Sequence, residues 1–340
     1  PANLARIVFK CSGQRPITLS FKEYVAKSRV VFGSILVLLI SVNYATSERD
    51  NRIITTLKYS KNYIYPAVVN GLPVKVGQVP YIVSIKELVT KVSTQRSLWA
   101  NLCGGSILNP TKVLTAAHCF EYKNYVFLKH PKKLRVVAGD FMTKVIHSGN
   151  TETNEECQWR KISKVVMHRK YFFPNNDIAL VFVNKPWRFT TNVGYIVPAS
   201  RRTDYLSNCI SAGFGDVKTK KSTSLILLVG TIFLMPRYNC NMIWEMNMDK
   251  FICSYSVFSD ASYGDSGGPL SCKGTLDPAE RSSKRKELLV GVVSGKNFDK
   301  TTLFTRVSEY RHWIDTNVAQ RLKLSLLTLL INYVMFMLYI

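Results

Sequence analysis

From Val68 onward the chain reads as short apolar runs broken by turn-forming residues. The runs include PYIVSI at 80–85, KVLTAA at 112–117, LRVVAG at 134–139, ISKVVMH at 162–168 and ELLVGVVSG at 287–295. Gly, Asn, Pro and Asp punctuate them. Runs of this length, rich in Val and Ile and bounded by turn residues, predict many short strands. No self-similarity of solenoid length is visible, so the strands belong to an all-β barrel or sandwich. Hydrophobic residues make up 46% of the 340-residue chain and charged residues 20%, enough to build a sizeable core. Val307, Tyr310, Trp313, Ile314 and Val318 fall at helical spacing and predict an amphipathic helix at the end of the strand-rich region.

The flanks have a different texture. Val30–Val42 is an apolar run preceded by Lys27 and Arg29 and followed by Ala45-Thr46-Ser47. A basic flank, a short apolar core and a small-residue exit form a secretory signal, so residues 1–47 are assigned as leader and signal. A signal anchor or a buried element is the alternative reading of that run. Residues 48–67 are polar and basic without a clear period, as in a propeptide or linker. Residues 320–340 form a hydrophobic tail. Its uncharged stretch Leu324–Ile340 is near the lower limit for a membrane span and is interrupted by Asn332. A membrane anchor, a tail replaced by a glycolipid and a helix packed on the body all remain open for it.

The formal charge is +24, from 46 Lys and Arg against 22 Asp and Glu. The basic residues fall in short groups such as Lys132, Lys133 and Arg135, or Lys218, Lys220 and Lys221. No aromatic ladder or nucleic-acid motif accompanies them, so nucleic acid is not an expected partner. Solvated basic loops are the simplest account, with an acidic glycan as the alternative partner. Eight cysteines occur, none in a close CxxC pair, and no second ligand pair completes a zinc site around Cys103 and Cys119. Disulfides in an oxidising compartment are expected instead, with no metal and no cofactor.

Three segments carry chemistry: Leu114-Thr-Ala-Ala-His118-Cys119, Asn176-Asp177-Ile-Ala-Leu180 and Gly264-Asp-Ser266-Gly-Gly-Pro269. Acyl transfer from an amide needs a nucleophile, a base to take its proton and a carboxylate to orient that base. It also needs N–H donors aimed at the developing oxyanion. The glycines around Ser266 permit a tight turn, so that the amides of Gly264 and Ser266 can supply that hole. Taken singly, His118 reads as a core histidine, Asp177 as a turn residue and Ser266 as a loop serine. All three in the order His, Asp, Ser form a specific pattern.

On these segments the chain resembles the chymotrypsin/trypsin-like serine endopeptidases over about 68–319. The resemblance implies two six-stranded antiparallel β-barrels with a C-terminal helix. It implies His118 as general base, Asp177 as its orienter, Ser266 as nucleophile, and Thr115 as a support for the aspartate. It pairs Cys103 with Cys119, Cys209 with Cys272 and Cys240 with Cys253. Cys157 is then left over inside the domain, with Cys11 ahead of the signal, and a free thiol at Cys157 is expected over an intermolecular bridge. Asp260, six residues before Ser266, matches the carboxylate at the base of the primary pocket, with Ser294 also at the substrate site. This implies cleavage after Arg or Lys. Lys296 and Thr302 replace glycines of the pocket wall, and Ser262 stands where the family has a cysteine. Val68 matches the N-terminus formed on activation and Asp265 its partner, although Tyr65-Pro66-Ala67 precedes the cut. The expected partners are protein or peptide substrates and protein protease inhibitors. A catalytically silent homologue acting as a binding module is the alternative. The expected location is extracellular, with cell-surface anchoring left open.

Overall fold

The computed structural model describes residues 54–55, 71–148, 156–205, 209–215, 224, 226–255, 265–296 and 301–317. The signal, most of the linker and the apolar tail lie outside the described residues. Among the described residues no helix is long and apolar enough to cross a membrane.

Two short pieces, β1 (Ile54–Thr55) and β2 (Leu72–Pro73), precede the first sheet. That sheet comprises β3 (Ile82–Lys91), β4 (Arg96–Asn109), β5 (Lys112–Thr115), β6 (Leu134–Ala138), β7 (Lys144–Ser148), β8 (Gln158–Arg160), β9 (Ile162–Met167) and β10 (Ala179–Val183). Its order is β8-β6-β3-β4-β5-β10-β9, with β7 added on β4, and its pairings are antiparallel. The sheet curls into a half-barrel.

The second sheet follows with β11 (Val197–Pro198), β12 (Cys209–Gly213), β13 (Leu228–Met235), β14 (Phe251–Tyr255), β15 (Pro269–Lys273), β16 (Glu287–Lys296) and β17 (Thr302–Arg306). Here β16-β15-β12-β13-β14-β17 form a path, and β17 pairs back onto β16. The six strands therefore close into a barrel. Full closure removes the unpaired edges that an open sheet exposes.

Each of the five apolar runs singled out between residues 80 and 295 contributes a strand: β3, β5, β6, β9 and β16. β5, β10 and β17 are buried along their whole length, and β16 is buried up to Lys296. Strands covered on both faces carry continuous apolar runs rather than alternation, which is why ALVFV and ELLVGVV show no period of two. Val83, Ile85, Leu114, Leu180 and Val292 belong to the principal core cluster.

The helices are few. α1 (His118–Lys129) leaves β5, α2 (Arg237–Trp244) leaves β13, and α3 (Ala279–Ser282) is a single turn. At the C-terminal end a 3-10 turn, Val307–Tyr310, leads into a helix over residues 311–317. Val307, Tyr310 and Ile314 are buried and Trp313 packs against the core from its rim, as the helical spacing predicts.

The three expected disulfides form. Cys103–Cys119 ties β4 to the start of α1, Cys209–Cys272 links opposed positions of β12 and β15, and Cys240–Cys253 ties α2 to β14. Closing loops of 13 to 16 residues stabilises a fold by about 3 kcal/mol each in the chain-entropy account. The expectation of a free thiol at Cys157 is overturned. Cys157 is buried and disulfide-bonded, with its partner outside the described residues.

Among the described residues, Lys86 and Lys112 lie in the interior. Lys86 in β3 pairs with Asp140 (Nζ to Oδ2, 3.2 Å) and donates to the carbonyls of Met142 (2.6 Å) and Thr143 (3.2 Å). Lys112 in β5 reaches the C-terminal helix, where its Nζ donates to the Ile314 carbonyl at 3.0 Å. A cation near the last carbonyls of a helix satisfies groups that have no intrahelical partner. Burial pushes Lys112 down from 10.5 to about 8, and the nearby Asp315 charge offsets part of that.

Lys112 thus binds its proton less tightly in the native chain than in the unfolded one. Between about pH 8 and 10.5 the unfolded chain carries more protons at this site, so native stability rises with pH across that window. Urea denaturation of the wild type and of Lys112→Met should diverge there, the wild type gaining on the order of 1–3 kcal/mol relative to the variant. Parallel stability curves from pH 7 to 10.5 would show that Lys112 keeps an ordinary affinity for its proton.

Candidate active site

His118 is the first residue of α1, placed just after the buried strand β5 and fixed by the adjacent Cys103–Cys119 bridge. Its ring Nδ1 lies 2.7 Å from Asp177 Oδ2, and its backbone N–H donates to Asp177 Oδ1 at 2.9 Å. A carboxylate can only accept at these distances, so the ring proton is assigned to Nδ1. Nε2 then presents its lone pair. That atom is buried and has no hydrogen-bond partner. The Phe173 ring meets the imidazole edge to face, with centroids 5.9 Å apart.

Asp177 sits two residues before the start of β10 and is wholly buried. Besides the two contacts from His118, its Oδ2 accepts from Ser294 Oγ at 2.5 Å, and its backbone carbonyl accepts from Thr305 Oγ1 at 2.9 Å. The neighbouring Asn176, at φ 53°, donates from Nδ2 to the Lys170 carbonyl and accepts from Tyr310 OH at 3.2 Å. The path of Ser294 to the carboxylate has a local cause. In the β16–β17 ladder Val293 faces Phe304 and Gly295 faces Leu303, so Ser294 is the extra residue of a β-bulge. A bulge re-aims one side chain out of the regular alternation. The phenols of Tyr171 and Tyr310 are both pushed well up, first by burial and further by nearby carboxylates that include Asp177. They stay protonated at neutral pH and act as donors, Tyr171 to Glu121 and Tyr310 to Asn176.

Ser266 heads a tight loop before β15. Its side chain is buried and Oγ has no hydrogen-bond partner. The loop backbone is held on both sides of the cleft. Gly104 N–H of β4 donates to Ser266 O at 2.7 Å, Gly267 N–H donates to Val293 O at 2.8 Å, and Gly268 N–H donates to Asp265 O at 2.8 Å. Gly267 has φ +75°, and a Cβ there would stand 2.1 Å from Thr115 Oγ1. Glycine is therefore required on two counts, backbone conformation and close approach to the segment leading into His118. Asp265 is fully buried, and its Oδ1 accepts from Gly215 N–H at 3.0 Å. It lies so close under β12 that a Cβ on Gly213 would be 1.8 Å from that oxygen.

The structure brings His118 and Asp177 into direct contact, and it packs the Ser266 loop against Thr115–Ala116. Ser294, expected at the substrate site, directs its hydroxyl to Asp177. Thr115 corrects the sequence reading. Its hydroxyl donates to the Gly104 carbonyl at 2.8 Å and not to the aspartate, whose support comes from Ser294 and Thr305. Lys296 is half-buried at the end of β16, opposite the buried Thr302 of β17. Asp260, Ser262, Gly264 and Val68 lie outside the described residues. Cys103, His118 and Cys119 cluster closely enough to suggest metal ligands, but both sulfurs are spent in a disulfide and offer no thiolate. Thr305 and Phe173 have no sequence signal of their own, since their contacts arise only on folding.

The family model described as Trypsin matches residues 68–314, well over half of the chain and the whole of the two sheets apart from β1. With this strand topology and this site, the protein belongs to the trypsin family of chymotrypsin/trypsin-like serine proteases.

Proposed function

We propose that this protein is a serine endopeptidase in which Ser266 is the nucleophile, His118 the general base and Asp177 the group that orients it. The observation that carries this reading is the hydrogen bond from His118 Nδ1 to the buried Asp177, while His118 Nε2 and Ser266 Oγ are both buried without partners. That pattern leaves a base and a hydroxyl uncommitted beside a fixed carboxylate.

In the mechanism Ser266 Oγ attacks the substrate carbonyl as Nε2 takes its proton. Asp177 stabilises the imidazolium without accepting its proton. The tetrahedral oxyanion is received by the amides of Gly264 and Ser266. His118 then protonates the leaving amine, the acyl-enzyme forms, and water reverses the sequence to release the acid. Ser294 and Thr305 act as positioning residues for Asp177. Asp260 at the base of the pocket would pair with a substrate Arg or Lys through a charge-assisted contact. The disulfides favour an extracellular site of action.

A second reading, a catalytically silent homologue used for binding, is favoured by the pocket wall. Lys296 and Thr302 face one another where the family carries glycines, and Lys296 could neutralise Asp260 from within. The two readings separate on the chain processed to expose Val68, using a fluorophosphonate label and a peptide panel with Arg, Lys, Phe, Leu or Ala before the scissile bond. The peptidase labels at Ser266 and turns peptides over, and Ser266→Ala lowers kcat by about 10⁶. Absence of both label and turnover in folded, processed protein would leave the binding module. If Arg and Lys peptides are cleaved no faster than the others, Asp260 does not set specificity.

The supports of Asp177 give a graded series. Asp177→Asn should lower kcat by about 10⁴, the loss expected when the carboxylate of such a triad becomes an amide and the tautomer is wrong. Ser294→Ala should lower kcat by about 10- to 100-fold, because it removes one hydrogen bond to a buried charge. KM should hardly move in either. A Ser294→Ala enzyme with wild-type kcat would mean that the two remaining contacts from His118 suffice to fix the carboxylate.

A further inference from the structure

Charge is unevenly answered over this molecule. Among the described residues, the surface ion pairs Arg202–Glu309, Arg237–Asp249, Arg285–Glu287 and Arg311–Asp315 all lie at or beyond Arg202 in sequence. In the first half the two pairs are internal, Lys86–Asp140 and His118–Asp177. Lys132, Lys133, Lys161 and Lys164 are exposed there and have no ion-pair partner among the described residues. The chain places no acid close to them in sequence, since residues 122–139 and 157–176 contain neither Asp nor Glu. Glu121 and Asp140, which flank the first of these stretches, are engaged by Tyr171 and Lys86. Glu87 of β3 is half-buried opposite Leu134.

The fold gathers these lysines on one face. β6 and β8 run antiparallel, with Val136 opposite Arg160 and Val137 opposite Trp159. The residues that lead into β6 are thereby set beside those that leave β8, and the 3-10 turn Pro131–Lys133 lies against β9. Lys132 and Lys133 come from the turn, Lys161 and Lys164 from the start of β9. In the β9–β10 ladder Lys164 faces Phe182 and Ile162 faces Val183, so Ser163 is the extra residue of a bulge. The bulge breaks the alternation of the strand, and Lys161, Ser163 and Lys164 are all exposed. Lys185, also exposed, extends the group. Asn184 N–H donates to the Lys161 carbonyl at 3.0 Å and Lys161 N–H donates to Asn184 Oδ1 at 2.9 Å, which fixes the turn at Lys185 beside β9.

Like charges gathered on one face repel one another and attract a partner of opposite sign. We propose that the turn Pro131–Lys133, the start of β9 and the turn at Lys185 form a binding surface for a sulfated glycan. A lysine ammonium is a hydrated point charge on a flexible stem, without the fixed fork of arginine. A row of such groups suits a string of sulfates more than one shaped phosphate. Neither the 3-10 turn nor β9 exposes a large apolar side chain, so the surface offers nothing to insert into a bilayer or to stack on a base. The disulfides favour the oxidising, extracellular side, where sulfated glycans occur. The surface does not draw on the catalytic residues and holds for a peptidase and for a silent homologue alike.

The test measures binding of a size-defined heparin oligosaccharide to the full chain at several salt concentrations. Two double reversals, Lys132→Glu/Lys133→Glu and Lys161→Glu/Lys164→Glu, are set against Lys273→Glu/Lys284→Glu. The last pair is also exposed, lies with the second sheet and changes the net charge equally. Each of the first two variants should bind about tenfold more weakly or worse near physiological salt. The slope of log K against log salt should become shallower by about 2, because each lysine that meets an anion releases a counterion. The control pair should change affinity by less than about twofold, since exposed charges beyond a Debye length are screened. Equal losses in all three variants would overturn the inference, because net charge alone would then account for binding. It also falls if the wild-type chain does not bind heparin, or binds fully desulfated heparin equally well. Tighter binding to phosphatidylserine vesicles or to single-stranded DNA, lost in the same two variants, would give the face to lipid or nucleic acid and overturn the glycan. Where a reversal does not fold, the Lys→Gln pair at the same positions carries the test, with the same control and a smaller loss.

Discussion

A carboxylate with no solvent exposure is the constraint around which the two halves of this molecule are arranged. Removing an ion of that size from water costs several kcal/mol even after the protein relaxes, unless donors replace the lost hydration. Asp177 receives three hydrogen bonds on its carboxylate. Two come from His118, where α1 leaves β5 of the first sheet, and one from Ser294 in the second. Its backbone is fastened from the second sheet as well, through Thr305. Neither sheet alone supplies the complete set. Docking of the halves and solvation of this charge are therefore one event, and a chain that misaligned them would bury an undersatisfied anion.

Other polar contacts across the same divide follow this logic. Tyr81, next to β3, places its hydroxyl 2.8 Å from Ser271 of β15 and donates to Glu287 of β16 at 2.6 Å, with all three residues buried. Burial, reinforced by the Glu287 charge, pushes the Tyr81 phenol well up and keeps it a donor. Arg285 closes the group from the rim, pairing with Glu287 and donating to the Gly77 and Gln78 carbonyls. Lys112 joins the first sheet to the terminal helix in the same manner. Apolar contacts tolerate sliding, whereas groups that must each find a partner accept few relative positions of the two sheets.

Much of this was legible in the sequence, and what was not shares one cause. The buried runs KVLT and ELLVGVV, the three chemical segments and the cysteine pairs are local patterns, or match a family pattern position by position. The terminal helix announced itself by spacing. The supports of Asp177 did not, because Ser294 and Thr305 reach it across 117 and 128 residues of sequence. Thr115 was misassigned for a related reason. The family resemblance implied the aspartate as its partner, but on β5 the hydroxyl meets the Gly104 carbonyl of neighbouring β4. The bulge at Ser294 is likewise invisible in VVSGK, since it exists only as a mismatch with β17. Cys157 looked unpaired because no partner stood within the strand-rich region.

β16 shows why these separate features act as one device. At two consecutive residues it braces the Ser266 loop through Val293 and bulges to place Ser294 on Asp177. The strand is buried on both faces up to its last residue and held by β17 along its far edge. A segment so confined moves as a rigid unit or hardly at all, because packed interiors do not deform gradually. The backbone that braces the Ser266 loop and the hydroxyl that reaches Asp177 are then neighbours on one strand, so their spacing is set by covalent geometry. A bulge makes this possible, since it re-aims one side chain out of the regular alternation.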